Sequence, residues 1–575
     1  MDTFSSSAPS FADGGAGNPT AYQVGPANRS AALGQSKVPF VIPNHTLSVE
    51  VATFLWNLYV RVVERDLDGL RRLYEHDYSS LSEQQFSNKS WPDVSLVVDF
   101  YKQNGRYHNL FEAFYKELSY RHLFSKCRDA VTAEDRRFSW ENYTMLFTYF
   151  TEEECGHRSE DGTSGLVLPS QWIWDMHDEF VYQLHDTCRW KSSLARHLPE
   201  LESEQNSIIL QIKEAQEIWS AAHIFQFLHQ IVETSGIREF LRRNKGDVGR
   251  STQTNLELRF QLGYFSMVAL LRLYTLVGEY TLAIEAVAEI EISPRCFHTT
   301  VLSCHTTFVY YLAFAYMMLR RYHDAIRVLS QFLIHIGKQR NVSISLPRPN
   351  NQILKQADRM YLLLMLCDIL STTRLDDYLM QVIRERYTDK YNKLQLDAPD
   401  VIQEIFNIAK PKIINPAFMS FENKEALLEY AEVENEKNER PLLCFLKEAQ
   451  HKRKVMEIHS FAKLYNNIQL SKLASLMEIK GRAPSESMQA EILSLKHKSR
   501  QYIWKSGSLL SGDSVSLTPT FDFYLDCDII HVKNQKTQRL YAEDFLKCLV
   551  RSQELSSRIQ GSSSSRPSKD RDNTD

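Results

Sequence analysis

Cys296, His298, Cys304 and His305 are the side-chain types that hold zinc. Zinc sites take paired ligands across a tight knuckle, and this spacing offers no such pair. Cys304 and His305 are adjacent on what reads as the first helix of a repeat, so their side chains diverge by about 100°. The set reads as a loop with incidental polar residues. A second set, Asp175, His177, Asp178 and Glu179, has the types for acid–base work. On a helical wheel Trp172, Ile173, Met176 and Phe180 form one apolar stripe. Asp175, Asp178 and Glu179 fall along one flank of it and His177 on the other. Asp175 and Glu179 could share a perturbed ionisation, but His177 reaches neither. The segment reads as a core-facing helix whose acidic flank suits a basic partner.

Other chemistries lack their motifs. A phosphate-cradling loop needs glycines ahead of Lys and Ser/Thr, and Gly337–Lys338–Gln339 has neither the leading glycine nor the hydroxyl. Gly162 and Gly165 have the wrong spacing for a nucleophile elbow, and no H-E-x-x-H occurs. These absences predict a non-enzyme with no catalytic residue, cofactor or metal. Lys496, His497, Lys498 and Arg500 end the third helix of what reads as a winged helix, the element that enters a groove in DNA-binding relatives. His451, Lys452, Arg453 and Lys454 form another basic set ahead of it. Lys496, Lys498 and Arg500 are therefore candidate RNA contacts, against the alternatives of a solvated face or a surface for an acidic protein.

The elements that must position these residues are mostly helical. Only 20 Gly and 18 Pro occur in 575 residues, below average usage, so the material of turn-rich β folds is scarce. With 43% apolar residues the chain can build sizeable cores, and its length suggests several domains. The net charge of −4 confines any nucleic-acid contact to a local patch. Nine cysteines are scattered singly without a C-x-x-C pair, and no signal peptide opens the chain, which fits a reducing compartment. The apolar runs Thr306–Leu319 and Tyr361–Cys367 fall short of the roughly 20 residues that span a bilayer, so a soluble protein is expected.

Residues 1–37 and 561–575 read as disordered tails, being polar and poor in large aliphatics. Residues 38–255 read as an N-terminal helical region, with Tyr107, Phe111, Phe114, Tyr115, Tyr120 and Phe124 as an aromatic core stripe rather than a nucleic-acid platform. Residues 256–340 carry an internal repeat. GEYTLAIEAV from Gly278 and RRYHDAIRVL from Arg320 superpose at an offset of 42 residues, Ala283 falling on Ala325. Leu270 and Tyr274 recur as Leu312 and Tyr316. The pattern resembles tetratricopeptide repeats, where a small residue lets antiparallel helices approach, although the period exceeds the usual ~34. Gly105, Tyr107 and Leu110 suggest a degenerate earlier copy.

Further helices are expected at 352–370 and 374–387, then a solvated charged stretch ending at Pro441. A short helix with Ile458, Phe461, Ala462 and Tyr465 follows. A second carries Leu470, Leu473, Ala474 and Met477, and a third Met488, Ile492, Leu495 and Ser499. A hairpin is expected around Asp526–Asp528. Three helices and a hairpin, at about 455–535, are the pattern of a winged helix. A final helix at 538–560 places Tyr541, Phe545, Leu549 and Ile559 on one broad apolar face, a candidate partner-binding surface.

LPSQWIWDMHDEFVYQ, YFSMVALLRLYTLVGEYTLAI, AYMMLRRYHDAIRVL, SFAKLYNNIQLSKLASLM and DFYLDCDIIHV, in that order, resemble the blocks of the subunit L family of eukaryotic translation initiation factor 3. The resemblance runs from about residue 38 to 560. It implies a mainly α fold, a TPR-like helical-repeat solenoid followed by a winged helix, together a PCI domain at 325–540, with a C-terminal helix. It implies a cytoplasmic, non-catalytic scaffold subunit, with other PCI subunits such as subunit K and the small ribosomal subunit as partners. The alternative is a PCI/winged-helix nucleic-acid-binding subunit of another large complex. The N-terminal extension, the stretch Ser235–Leu256 and the acidic stretch around Glu432–Arg440 depart from the family pattern.

Overall fold

The computed structural model describes residues 48–103, 108–151, 168–197, 219–243, 257–292, 296–341, 351–371, 374–395, 399–415, 424–477, 484–498, 500–516, 521–534 and 542–563. The tail at 1–37 lies outside them, as do Tyr107 and Gly105 of the suggested early repeat copy. The chain divides into a unit Met1–Thr53 and a unit Phe54–Asp575. Of the first, residues 48–53 open helix α1 (Val49–Glu64), where the Ala52 amide donates to the Ser48 carbonyl at 3.0 Å.

The second unit is mainly α. After α1 come α2 (Leu67–Arg72), capped by the Asp66 carboxylate on the Gly69 amide, and α3 (Ser79–Gln84), joined by a π turn at Leu73–Tyr78. Then follow α4 (Val94–Gln103), α5 (Asn109–Lys126), α6 (Ala133–Thr151) and α7 (Ser170–His197). Phe111, Phe114, Tyr115 and Phe124 of α5 are buried, so these four members of the aromatic stripe are core. Tyr120 is half-buried, and Tyr107 lies outside the described residues. Trp172 of α7 stacks on Tyr74 at 4.9 Å and sits 5.1 Å from Phe114.

The N-terminal helical region closes with α8 (Ala221–Ser235) and α9 (Ile237–Arg243), and the repeat region comprises α10 (Leu258–Val277), α11 (Tyr280–Ala286), α12 (Leu302–Met318) and α13 (Tyr322–Asn341). Gly263 lets α10 lie against the end of α8, since a Cβ there would meet Ser235 Oγ at 2.1 Å. The two repeat copies share their joint. Gly278 and Arg320 both adopt left-handed backbone, with φ of 96° and 63°. The following amides close the same six-to-one bond, Glu279 to the Tyr274 carbonyl at 2.9 Å and Arg321 to the Tyr316 carbonyl at 2.8 Å. Ala283 and Ala325, the small residues that superpose in the two copies, are both wholly buried. Among the described helices α10 alone is long and apolar enough to cross a membrane, and it is mostly buried inside the protein.

Beyond α14 (Asn351–Leu370) the second expected helix begins at Asp377 rather than 374. It forms α15 (Asp377–Arg386), because the Asp376 carboxylate accepts from the Tyr378 amide and caps it there. Two further helices, α16 (Thr388–Gln395) and α17 (Pro399–Ala409), lead into an extended segment, 411–415.

The charged stretch does not end at Pro441. One helix, α18 (Lys424–Leu464), runs 41 residues, about 60 Å, with Pro441 inside it. Proline removes one ladder bond from a helix. The same turn is braced from outside by Lys410 Nζ, which donates to the Asn438 carbonyl at 2.8 Å. The helix expected to be short at 458–465 is thus the end of α18, and Tyr465 lies just beyond it.

Ile458 of α18 shares one core with Ile468, Leu470, Leu473, Ala474, Met488, Ile492, Leu495, Phe523 and Ile530. These come from β1 (Asn467–Gln469), α19 (Leu470–Leu476), α20 (Pro484–Lys498), β4 (Phe521–Asp526) and β5 (Ile529–Asn534). The strands pair antiparallel in the order β1-β5-β4, with Leu525 opposite Ile530 in the expected hairpin. Ser499 lies outside the described residues. Between α20 and β4 an unexpected ribbon forms, β2 (Arg500–Ile503) with β3 (Asp513–Ser516). The last helix, α21 (Ala542–Ser563), takes in residues 561–563 of the supposed tail.

Candidate functional site

In α21, Phe545 is 68% exposed and Leu549 59%, and Leu546, Val550 and Leu555 are also exposed. Ile559 lies within the same helix, whereas Tyr541 falls outside the described residues. Apolar side chains on successive turns, uncovered by their own chain, form a surface suited to another molecule.

The three basic candidates lie on the module built around α20. Lys496 Nζ donates to the Phe523 carbonyl at 2.5 Å and lies 3.9 Å from the Asp522 carboxylate. Lys498 Nζ pairs with Glu448 Oε1 of α18 at 2.7 Å. Arg500, at the start of β2, is exposed. Two of the three charges are thus engaged within the chain. Of the preceding basic set, Lys454 pairs with Glu491 at 2.6 Å.

A contact that sequence reasoning missed ties this module to the repeats. Arg321, buried at the start of α13, donates to the Leu509, Leu510 and Ser511 carbonyls at 3.2, 2.8 and 2.9 Å. It pairs with Asp324 at 2.7 Å, and Asp324 accepts from the Trp504 amide at 3.1 Å. The Arg327 guanidinium lies 4.2 Å over the Trp504 ring. The preceding residue, Arg320, pairs with Glu448 at 3.0 Å and donates to the Lys498 carbonyl at 3.1 Å. The Arg-Arg-x-x-Asp spacing in the second repeat copy was the available signal.

The acid–base set divides as the wheel predicts. His177 is wholly buried: Nδ1 donates to the Ile173 carbonyl at 2.8 Å and Nε2 accepts from Ser266 Oγ at 3.1 Å. Burial pulls its imidazole down to about 4, so it is neutral. Asp175 accepts from Tyr74 Oη at 2.6 Å, and burial pushes it up to about 6 against the nearby Arg121. Burial likewise pushes Glu179 up to about 7. The basic partners of the acidic flank are internal: Arg121, which also bonds Glu117 and Tyr74, and Arg272, which bonds Asp178. Glu117 is buried and accepts from Trp172 Nε1 at 2.9 Å. The network is a polar brace inside the helical core.

The zinc-type residues come near one another without aiming at a common point: the His298 and His305 rings lie edge to face at 5.1 Å. Cys296 Sγ contacts the Glu291 carbonyl at 2.9 Å, His298 Nδ1 meets Tyr264 Oη at 2.6 Å, and Cys304 is buried in α12. The His305 ring packs edge-on to Phe332 at 4.9 Å. No three His, Cys, Asp or Glu side chains among the described residues are grouped to hold a metal.

Comparison with known proteins bears on what such a molecule is. A family model described as RNA polymerase I-associated factor PAF67 matches residues 135–552. Eukaryotic translation initiation factor 3 subunit L of Xenopus tropicalis is 31% identical over 498 residues, covering 85% of this chain and 83% of that protein. The subunit L of Homo sapiens is 31% identical over 499 residues, covering 84% and 82%. The Danio rerio protein is 31% identical over 493 residues, covering 84% and 80%. Since the likeness runs through the repeats, the long helix and the strand-bearing module alike, the chain belongs to the family of subunit L of eukaryotic translation initiation factor 3.

Proposed function

We propose that this chain is a non-catalytic scaffold subunit of eukaryotic translation initiation factor 3, acting in the cytoplasm during the initiation of protein synthesis. Residues 325–540 act as its PCI domain, the part at 455–535 as a winged helix, and the C-terminal helix joins a bundle with other PCI subunits, subunit K among them. Through that assembly it supports binding to the small ribosomal subunit. The observation that carries this reading is the uncovered apolar face of α21, with Phe545 and Leu549 exposed. Pairing of Lys496 and Lys498 within the chain favours docking over an RNA-gripping role for the α20 module.

Leu549→Asp tests it. A carboxylate buried in a helix seam costs several kcal/mol, so the variant should lose co-purification with the other factor subunits. Its circular dichroism should stay unchanged, because Leu549 is exposed in the isolated chain. Assembly that survives the substitution would remove α21 as the anchor.

A further inference from the structure

A second surface, far in sequence from the C-terminal helix, gathers positive charge that no ion pair among the described residues answers. Lys412 is the one exposed residue of the segment 411–415. The backbone after it is pinned: the Ile413 amide meets Asn438 Oδ1 at 3.4 Å and the Ile414 amide donates to the Leu276 carbonyl at 2.9 Å. Asn415 Oδ1 accepts from Lys437 Nζ at 2.6 Å. Ile413 and Ile414 are buried, so the segment holds Lys412 at the surface. Leu276 lies one turn beyond Arg272, which is tied to Asp178 of α7. On the other side α14 packs against α17, the helix that leads into this segment.

Arg189 of α7 and Arg359 of α14 are exposed, and Lys355 is exposed one turn before Arg359. None of the ion pairs among the described residues involves Arg189, Lys412 or Arg359. The Lys412 ammonium is drawn down first by Arg189, then by burial, then by Arg359 and Arg128. Arg128 adds to the excess, since it shares the single Asp186 carboxylate with Arg136. His185 nearby is held neutral by burial and by Arg272, Arg189 and Lys412.

We propose that Arg189, Lys412 and Arg359, supplied by three elements of the helical array, form a binding surface for the phosphate backbone of a nucleic acid. Guanidinium forks match phosphate oxygens, and like charges held together on a surface are relieved by a polyanion. A protein partner is the less suited occupant. Protein interfaces have an apolar centre, and among the described residues none of the large exposed apolar side chains lies on α7, α14 or residues 411–415, Ile408 of α17 being a single one nearby in sequence.

Fluorescence anisotropy of a labelled oligouridylate with the full chain tests this. Binding should weaken with salt, and the triple variant Arg189→Glu, Lys412→Glu, Arg359→Glu should lose about tenfold or more in affinity and flatten the salt dependence by about 2 in log–log slope. A control, Lys89→Glu, Lys126→Glu, Lys393→Glu, changes net charge equally at other exposed positions and should lose less than about threefold. The triple Gln variant should fall in the same direction with a smaller loss, which separates lost contacts from misfolding. Equal losses in the two Glu variants, no binding by the unaltered chain at low salt, or displacement of the RNA by polyglutamate as readily as by polyphosphate would each overturn the site. The last result would assign the surface to an acidic protein.

Discussion

Burial keeps the His177 imidazole neutral, with both ring nitrogens bonded to the fold at Ile173 and Ser266. In the unfolded chain it takes a proton near the ordinary value, whereas in the folded protein it resists down to about 4. Its contribution to stability is therefore present above the unfolded value and is lost as pH falls through that window. Asp175 and Glu179, raised to about 6 and about 7, run the opposite way: their contribution is present at low pH and is lost as pH rises through those values. Replacing His177 by Asn should remove roughly 2 kcal/mol from the stability lost between about pH 7 and about pH 5. Urea unfolding at the two pH values measures that difference, and an unchanged difference would mean that His177 is not held neutral. The wheel already separated His177 from the carboxylates. What it could not supply was Glu117, Arg121 and Tyr74, which meet the flank from distant helices and leave no periodic trace in the chain.

At the scale of elements, the repeat joints show which details of a pattern carry weight. Gly278 ends α10 in left-handed backbone, a conformation costing a residue with a Cβ about 1–2 kcal/mol. Gly278→Ala should lower unfolding free energy by about that much, measured by urea titration. A neutral result would show that the joint relaxes. Arg320 occupies the same conformation in the second copy, offset by its ties to Glu448 and the Lys498 carbonyl. The repeat was legible because Leu, Tyr and Ala recur at one offset. Two other elements were not. Pro441 reads as the end of a solvated charged stretch, yet α18 continues through it, with Lys410 bonded to the same turn. The ribbon at 500–516 has only four-residue strands, and Arg321 and Asp324 hold its connecting loop from almost two hundred residues away. Such an element leaves little local signal.

Over the whole molecule, the join between the repeats and the strand-bearing module rests on few residues. Arg321 is buried, pairs with Asp324 and satisfies three carbonyls of the 504–512 loop. Arg321→Met would leave buried Asp324 with only the more distant Arg327, 3.9 Å away, and three loop carbonyls without their donor, a loss of about 3 kcal/mol. It should also open that loop to protease, seen as a new cleavage between Trp504 and Gly512. Unchanged stability together with an uncut loop would place the join elsewhere.

The long helix α18 has a second consequence. Its first half lies along α7 and α17, and its last turns supply Ile458 to the module's core. A gene fusion that transplanted only the residues after Leu464 would deliver a core with one wall missing. A transplant meant to keep that core closed would have to carry the last turns of the rod with it.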